Sequence, residues 1–161
     1  MGSLRVLVPL VCVLAALPAF AQNLEPGEWE QQMTMTAPGM SGEPVKQTMR
    51  HCITSADVAL LADHERYAKQ VADSNPHMSC KVASAKQDGA VLTVALACDG
   101  DMQLTMRHEL RGKTGVIDAE SRIGGELHSK NHIVSKKVSD TCSPETIERW
   151  KQQNPGKTFE P

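Results

Sequence analysis

The sequence predicts a mainly β domain, an antiparallel meander of about seven strands, curled or barrel-like, with two short peripheral helices and two disulfides. Three observations lead there. Met102, Leu104, Met106, His108 and Leu110 alternate with Gln103, Thr105, Arg107, Glu109 and Arg111, the period of a strand with one buried face. Glycine turns recur regularly at Gly89, Gly100, Gly112 and Gly124-Gly125, too closely spaced for long helices. An even number of cysteines follows an N-terminus built like an export signal.

That N-terminus has Arg5 in a short basic region, an apolar run from Val6 to Leu17, and then Ala19-Phe20-Ala21. The last triplet is an A-x-A cleavage site, so cleavage is expected between Ala21 and Gln22. The run is too short and wrongly flanked for a membrane anchor, and Cys12 lies within it rather than at an acylation site. The expected organisation is a signal peptide over 1–21 and a single globular domain over 22–161, with 154–161 a frayed tail. Export by such a signal places the protein in the periplasm, with no stable membrane span after signal removal.

The elements follow in order. Leu24 to Gly27 is a turn into a first strand, where Trp29, Gln31, Met33 and Met35 alternate with Glu30, Gln32, Thr34 and Thr36. Ala37 to Pro44, with two glycines and two prolines, is loop. Val45 to Ile53 is a second strand. Ser55 is placed as the N-cap of a helix that runs to Asp73 and is broken by Asn75-Pro76. Cys80 to Cys98 is a hairpin around Asp88-Gly89, and its nearly apolar second arm is a central strand. Asp99-Gly100-Asp101 turns into the alternating strand at 102–111. Two more strands, Val116 to Ile123 and Leu127 to Val138, flank Gly124-Gly125. Ser143-Pro144-Glu145 opens a last helix over Pro144–Gln153, with an N-cap, a proline at the first position and an acid facing the dipole.

The mature chain carries Cys52, Cys80, Cys98 and Cys142, at spacings of 28, 18 and 44 residues, which match no zinc pattern. Two disulfides in one of three connectivities are expected. A three-residue loop centred on Gly89 pairs residues whose numbers sum to 178, as Cys80 and Cys98 do. Cys52 and Cys142 then remain, each just before an N-capped helix.

Composition excludes several classes. Without the signal, 16 basic side chains face 19 acidic ones, and no Lys/Arg run exceeds Lys136-Lys137. A nucleic-acid footprint is therefore missing. No basic amphipathic helix suits a membrane surface. Trp29, Tyr67, Trp150 and Phe159 are the only aromatics of the mature chain, too few for a stacking platform.

The candidate chemistry is thin. Met33, Met35, Met102 and Met106 are soft donors that would suit Cu(I), but all fall on faces that the alternation marks as buried. His128 and His132 share a strand face about 13 Å apart, too far for one ion. His108-Glu109-Leu110-Arg111-Gly112 begins like a zinc-protease motif but has Gly112 at the second histidine position. His51 and Cys52 point to opposite faces of a strand and form no nucleophile–base pair. Asp99 and Asp101 read as a solvated turn, since the rest of a calcium-loop series is absent. No nucleophile elbow, phosphate loop or dinucleotide fingerprint occurs. No catalytic residue, metal ligand or cofactor is assigned, and no enzyme activity is expected.

Leu24-Glu25-Pro26-Gly27-Glu28-Trp29-Glu30 after a signal peptide resembles the "PGLWE" opening of the bacterial domain of unknown function 3617 family. Cys52-Ile53-Thr54 before a helix, Cys80 opening a strand, Cys98 closing the next and the terminal Cys142 are similar to that family too, from about Leu24 to Cys142. Glu28 stands where the family usually has an apolar residue, and the C-terminal helix reads as an addition. The resemblance implies an exported protein of Gram-negative bacteria and no particular activity.

Two classes of function remain. The first is a non-enzymatic module that binds a small, hydrophobic ligand inside the curled sheet. The second is an envelope protein-interaction factor or inhibitor acting through its surface. A methionine-based copper carrier ranks behind both. A monomer is expected. An interior space above about 300 Å³ would favour the ligand, and a solid core the surface.

Overall fold

The computed structural model describes residues 24–40, 42–74 and 78–160. The signal peptide with its Ala21–Gln22 junction, the Asn75-Pro76 helix stop and His77 lie outside the described residues. Seven strands form: β1 (Gly27–Thr36), β2 (Val45–Ile53), β3 (Cys80–Asp88), β4 (Val91–Cys98), β5 (Met102–Arg111), β6 (Thr114–Ile123) and β7 (Glu126–Ser139). They make one antiparallel sheet in the order β2-β1-β7-β6-β5-β4-β3. The mainly β class and the strand number are as the sequence predicts. β2 and β3 are edges that do not pair with each other, so the sheet stays open instead of closing into a barrel. β3 to β7 pair in chain order, as a meander does, whereas β1 sits between β2 and β7. That insertion needs a close approach at Gly27 (φ +136°), where a Cβ would lie 2.3 Å from the Ser139 carbonyl oxygen.

The two faces of the sheet differ in chemistry. Trp29, Met33, Ile133, Ile117, Met106, Leu92, Val94 and Leu96 share the face that the helices partly cover. The opposite face is laced with ion pairs, among them Lys136 to Glu30 at 3.0 Å, Lys130 to Glu120 at 3.2 Å and Arg111 to Glu109 at 2.8 Å. Neighbouring cations hold the Glu30, Glu109 and Glu120 carboxyls below the usual carboxylate range. Such exposed pairs add little stability each, and they keep this face wet.

The first helical region divides into α1 (Ser55–Ala62) and α2 (His64–Asp73), so three helices stand where two are expected. Asp63 makes the break. Its N–H bonds the Leu60 carbonyl to end α1, while its side chain accepts from the Arg66 N–H to start α2. Thr54, not Ser55, caps α1, in a reciprocal capping box with Asp57. α2 lays Ala68 and Ala72 on Leu92, Val94 and Leu96 of β4, which forms one core. The second core joins Leu24, Trp29 and Leu110, with Val58 and Leu61 of α1 against it. Trp29 is wholly buried, and its indole N–H donates to the Glu25 carbonyl at 3.0 Å. α3 (Pro144–Gln153) begins as predicted, with Ser143 as its cap. It lies along the β2 edge, where Arg149 donates to the Arg50 carbonyl at 2.8 Å. That contact occupies an edge acceptor another strand could otherwise use.

Both expected disulfides are present, Cys80–Cys98 and Cys52–Cys142. The first arises by a different route from the one the sequence suggests. The hairpin closes on a two-residue loop, since Asp88 pairs Val91, and every pair down to Ser84–Ala95 sums to 179. A bulge at Ala83 then shifts the register, so Cys80 still meets Cys98.

Glu28 pairs with Cys52 across β1 and β2 and is only 5 % exposed. Its carboxylate accepts from the Ser143 hydroxyl at 2.6 Å, the Ser143 N–H at 3.1 Å and the Thr146 hydroxyl at 2.8 Å. These bonds, the Ser143 hydroxyl foremost, hold its pKa below the usual value despite burial. The carboxylate and the Cys52–Cys142 bridge thus fasten the start of α3 at one point. Glu28→Ala should cost about 2 kcal/mol, since charge-assisted bonds are lost and the cap loses its anchor. Removing Cys80–Cys98 should cost about 3 kcal/mol and Cys52–Cys142 about 4.5 kcal/mol by loop entropy, in urea melts of paired serine variants.

Candidate functional site

Between the helices and the sheet lies a cavity of about 340 Å³. Its floor is sheet: His51 of β2, Trp29 and Gln31 of β1, Ser135 of β7, Ile117 of β6, His108 and Leu110 of β5. Its roof is Leu60 and Leu61 of α1, Tyr67 and Gln70 of α2, and Trp150 and Gln153 of α3. The volume is that of a small-molecule site, and the lining divides about evenly between apolar and polar side chains. Two further clefts, each about 550 Å³, lie outside it. One runs between β2 and α3, the other over the charged face, and both are lined mainly by polar or charged side chains. The helix-roofed cavity combines apolar walls with buried polar groups that lack partners, which makes it the candidate site.

Those groups are specific. Among the described residues, His51 Nδ1, His108 Nδ1 and Ser135 Oγ are buried without a hydrogen-bond partner, and all three residues line the cavity. Asn131 Oδ1, further along the same face, is a fourth. Leaving a buried polar atom unpaired costs about 1–3 kcal/mol, so a concentration of them needs a reason.

Tyr67 and His108 meet edge to face, with the phenol oxygen 3.3 Å from His108 Nε2. Burial pushes the Tyr67 hydroxyl up to about 12 and the His108 imidazole down to about 4, so both are neutral at physiological pH. The phenol donates to Nε2, because the reverse would leave both the phenol proton and Nδ1 unpaired; Nδ1 then carries the ring proton. Burial lowers the His51 pKa too, against a weaker opposing pull from Asp57. The two charged residues of the lining are engaged elsewhere: Asp57 with Thr54 at 2.7 Å, and Arg149 with Glu145 and the Arg50 carbonyl, both at 2.8 Å.

The residues weighed from the sequence distribute differently. Met33 and Met35 lie on β1 and Met102 and Met106 on β5, with β7 and β6 between them. At about 4.8 Å per strand the two pairs stand about 14 Å apart, beyond one ion's reach. His132 bonds Asp118 at 2.7 Å on the open face, away from His128. Asp101 (φ 56°) and Gly100 shape a turn. Among the described residues, no group of three or more His, Cys, Asp or Glu could hold a metal, and no helix is long and apolar enough to cross a membrane. The cavity residues were invisible in the sequence as a site, since they come from eight elements. Their one local signal is a polar residue at a buried strand phase, as at Gln31, His108 and Ser135.

An open antiparallel sheet with a helix-roofed cavity and two disulfides is the class that the geometry defines. The family model described as a protein of unknown function (DUF3617) matches residues 24–152, and the chain belongs to that family. The match takes in most of α3, so this helix is not an addition to the family, as the sequence reading had it. No curated protein matches the chain. Two disulfides are the mark of a protein that folds in an oxidising compartment.

His108 makes stability depend on pH. Its folded pKa of about 4 lies below the unfolded value, so between pH 6.5 and 4 the unfolded chain takes up a proton that the native state refuses. Stability from this group is present at neutral pH and falls by about 3 kcal/mol as pH drops through that window. Urea midpoints at pH 7.5 and pH 4 should move apart less in His108→Phe than in the parent protein.

Proposed function

We propose that this is an exported, periplasmic, non-catalytic binding module that holds a small apolar ligand in the cavity between α1, α2, α3 and the sheet. The observation that carries the reading is the cavity itself, about 340 Å³ and walled by Trp29, Leu60, Leu61, Leu110, Ile117 and Trp150. A solid core would have turned the argument towards the outer surface. The absence of a catalytic role rests on chemistry. The four cysteines after the signal-like segment are paired, and the Tyr67–His108 pair is neutral, with no nucleophile bonded to it among the described residues. The periplasm is supported by the disulfides together with the signal-like residues 1–21.

The test is a titration with N-phenyl-1-naphthylamine, an uncharged probe that brightens in apolar surroundings. Saturation at one probe per chain is expected, at about micromolar Kd. Ile117→Trp, which fills the floor, should weaken it about ten-fold while its thermal midpoint stays close to the parent's. Binding that does not saturate, or that ignores Ile117→Trp, would overturn the reading. Native mass spectrometry of protein isolated from the envelope adds a second outcome. A lipid-sized adduct supports a carried ligand, whereas a co-purifying protein supports the surface alternative.

A further inference from the structure

Resting on that reading, we propose that the ligand is an uncharged amphiphile whose polar head is read by Gln31, Ser135 and His51, with its apolar body against Leu110 and Ile117. The register puts the three polar residues side by side. Gln31 and Ser135 are direct partners across β1 and β7, so their Cβ atoms stand about 5 Å apart on one face. His51 faces Trp29 across β1 and β2, one pair along from Gln31, which makes it a diagonal neighbour at about 7 Å. Three adjacent strands thus carry a contiguous polar strip in the cavity floor, beside Trp29, Leu110 and Ile117. Beyond Ser135 the strip ends, because Gly115 has no side chain and Leu110 Cδ2 fills the space 2.6 Å from where its Cβ would be.

Among the described residues, each of the three has a polar atom that no protein group bonds. Ser135 is 5 % exposed and its Oγ has no partner among the described residues; the same holds for His51 Nδ1. The Gln31 amide bonds no described side chain or carbonyl; it is half-buried and not among the buried unpaired groups. Together they offer hydroxyl, amide and imidazole groups, both donors and acceptors. That set complements an amide, carbonyl or alcohol. It contains no free charge, and Asp57 and Arg149 are already engaged, so a bare anion or cation entering here would lose its hydration without a counter-charge.

The test uses one body and four heads: naphthalene, 2-naphthamide, 2-naphthoate and 2-naphthylmethylammonium, titrated by calorimetry into the whole disulfide-bonded protein at pH 7.5. 2-Naphthamide should bind about ten-fold tighter than naphthalene, the gain of one or two buried neutral hydrogen bonds. It should also exceed both charged analogues. Ser135→Ala and Gln31→Leu should each erase most of that advantage and leave naphthalene affinity within about two-fold. Ser135→Ala should leave the thermal midpoint of the empty protein unchanged or raised, because it removes an unpaired buried hydroxyl. A midpoint that falls would show the hydroxyl to be bonded within the protein, against the proposal. Tighter binding of 2-naphthoate or of the ammonium, or an amide advantage that survives both substitutions, overturns the head-group assignment while the cavity reading stands. If none of the four binds, and the naphthylamine probe does not either, both fall together.

Discussion

A sheet of seven strands with two free edges must bury one face and protect its ends, and here both tasks lead back to a single knot of chain. Cys52 pairs Glu28 across β1 and β2; the cysteine bridges to Cys142, and the carboxylate grips Ser143 and Thr146. One residue past Cys52–Ile53, Thr54 caps α1; one residue past Cys142, Ser143 caps α3. Two helices therefore start from the same corner of the sheet. One runs over the face, and the other runs along the β2 edge.

The cavity follows from that arrangement. α2 is anchored at the far end of the roof by Ala68 and Ala72 on β4, and α3 is anchored at the near end by Glu28. α1 is suspended between them. It contains no buried residue, and it contributes only the half-buried flanks of Val58, Leu60 and Leu61. α1 rests on Trp29 and Leu110 through Val58 and Leu61 but buries no residue completely, so space remains beside those contacts. The break at Asp63 matters here, because a single straight helix could not both leave the Thr54 corner and lie down on β4.

The polar side chains within the cavity are then the structure's internal tension. Buried neutral histidines and an orphan serine hydroxyl are each mildly costly in an empty protein. Proteins retain such groups where a ligand, water or proton repays them. The charged face of the same sheet shows the opposite treatment, with each carboxylate at Glu30, Glu109 and Glu120 held by cations on neighbouring positions.

The strand phases, turn positions and the start of α3 were legible in the sequence because they are local. Period-two alternation at 102–111 fixes which side chains share a face, and glycines mark where the chain can reverse. The Cys80–Cys98 pairing was legible in outcome but not in route, since the bulge at Ala83 leaves no signal of its own. What only the tertiary structure decided is the placement of β1 between β2 and β7, with everything that depends on it. Residues 31 and 135 become neighbours through that long-range pairing alone. A sequence states the face on which each side chain lies; which distant strand supplies its neighbour is set by how the whole sheet buries that face.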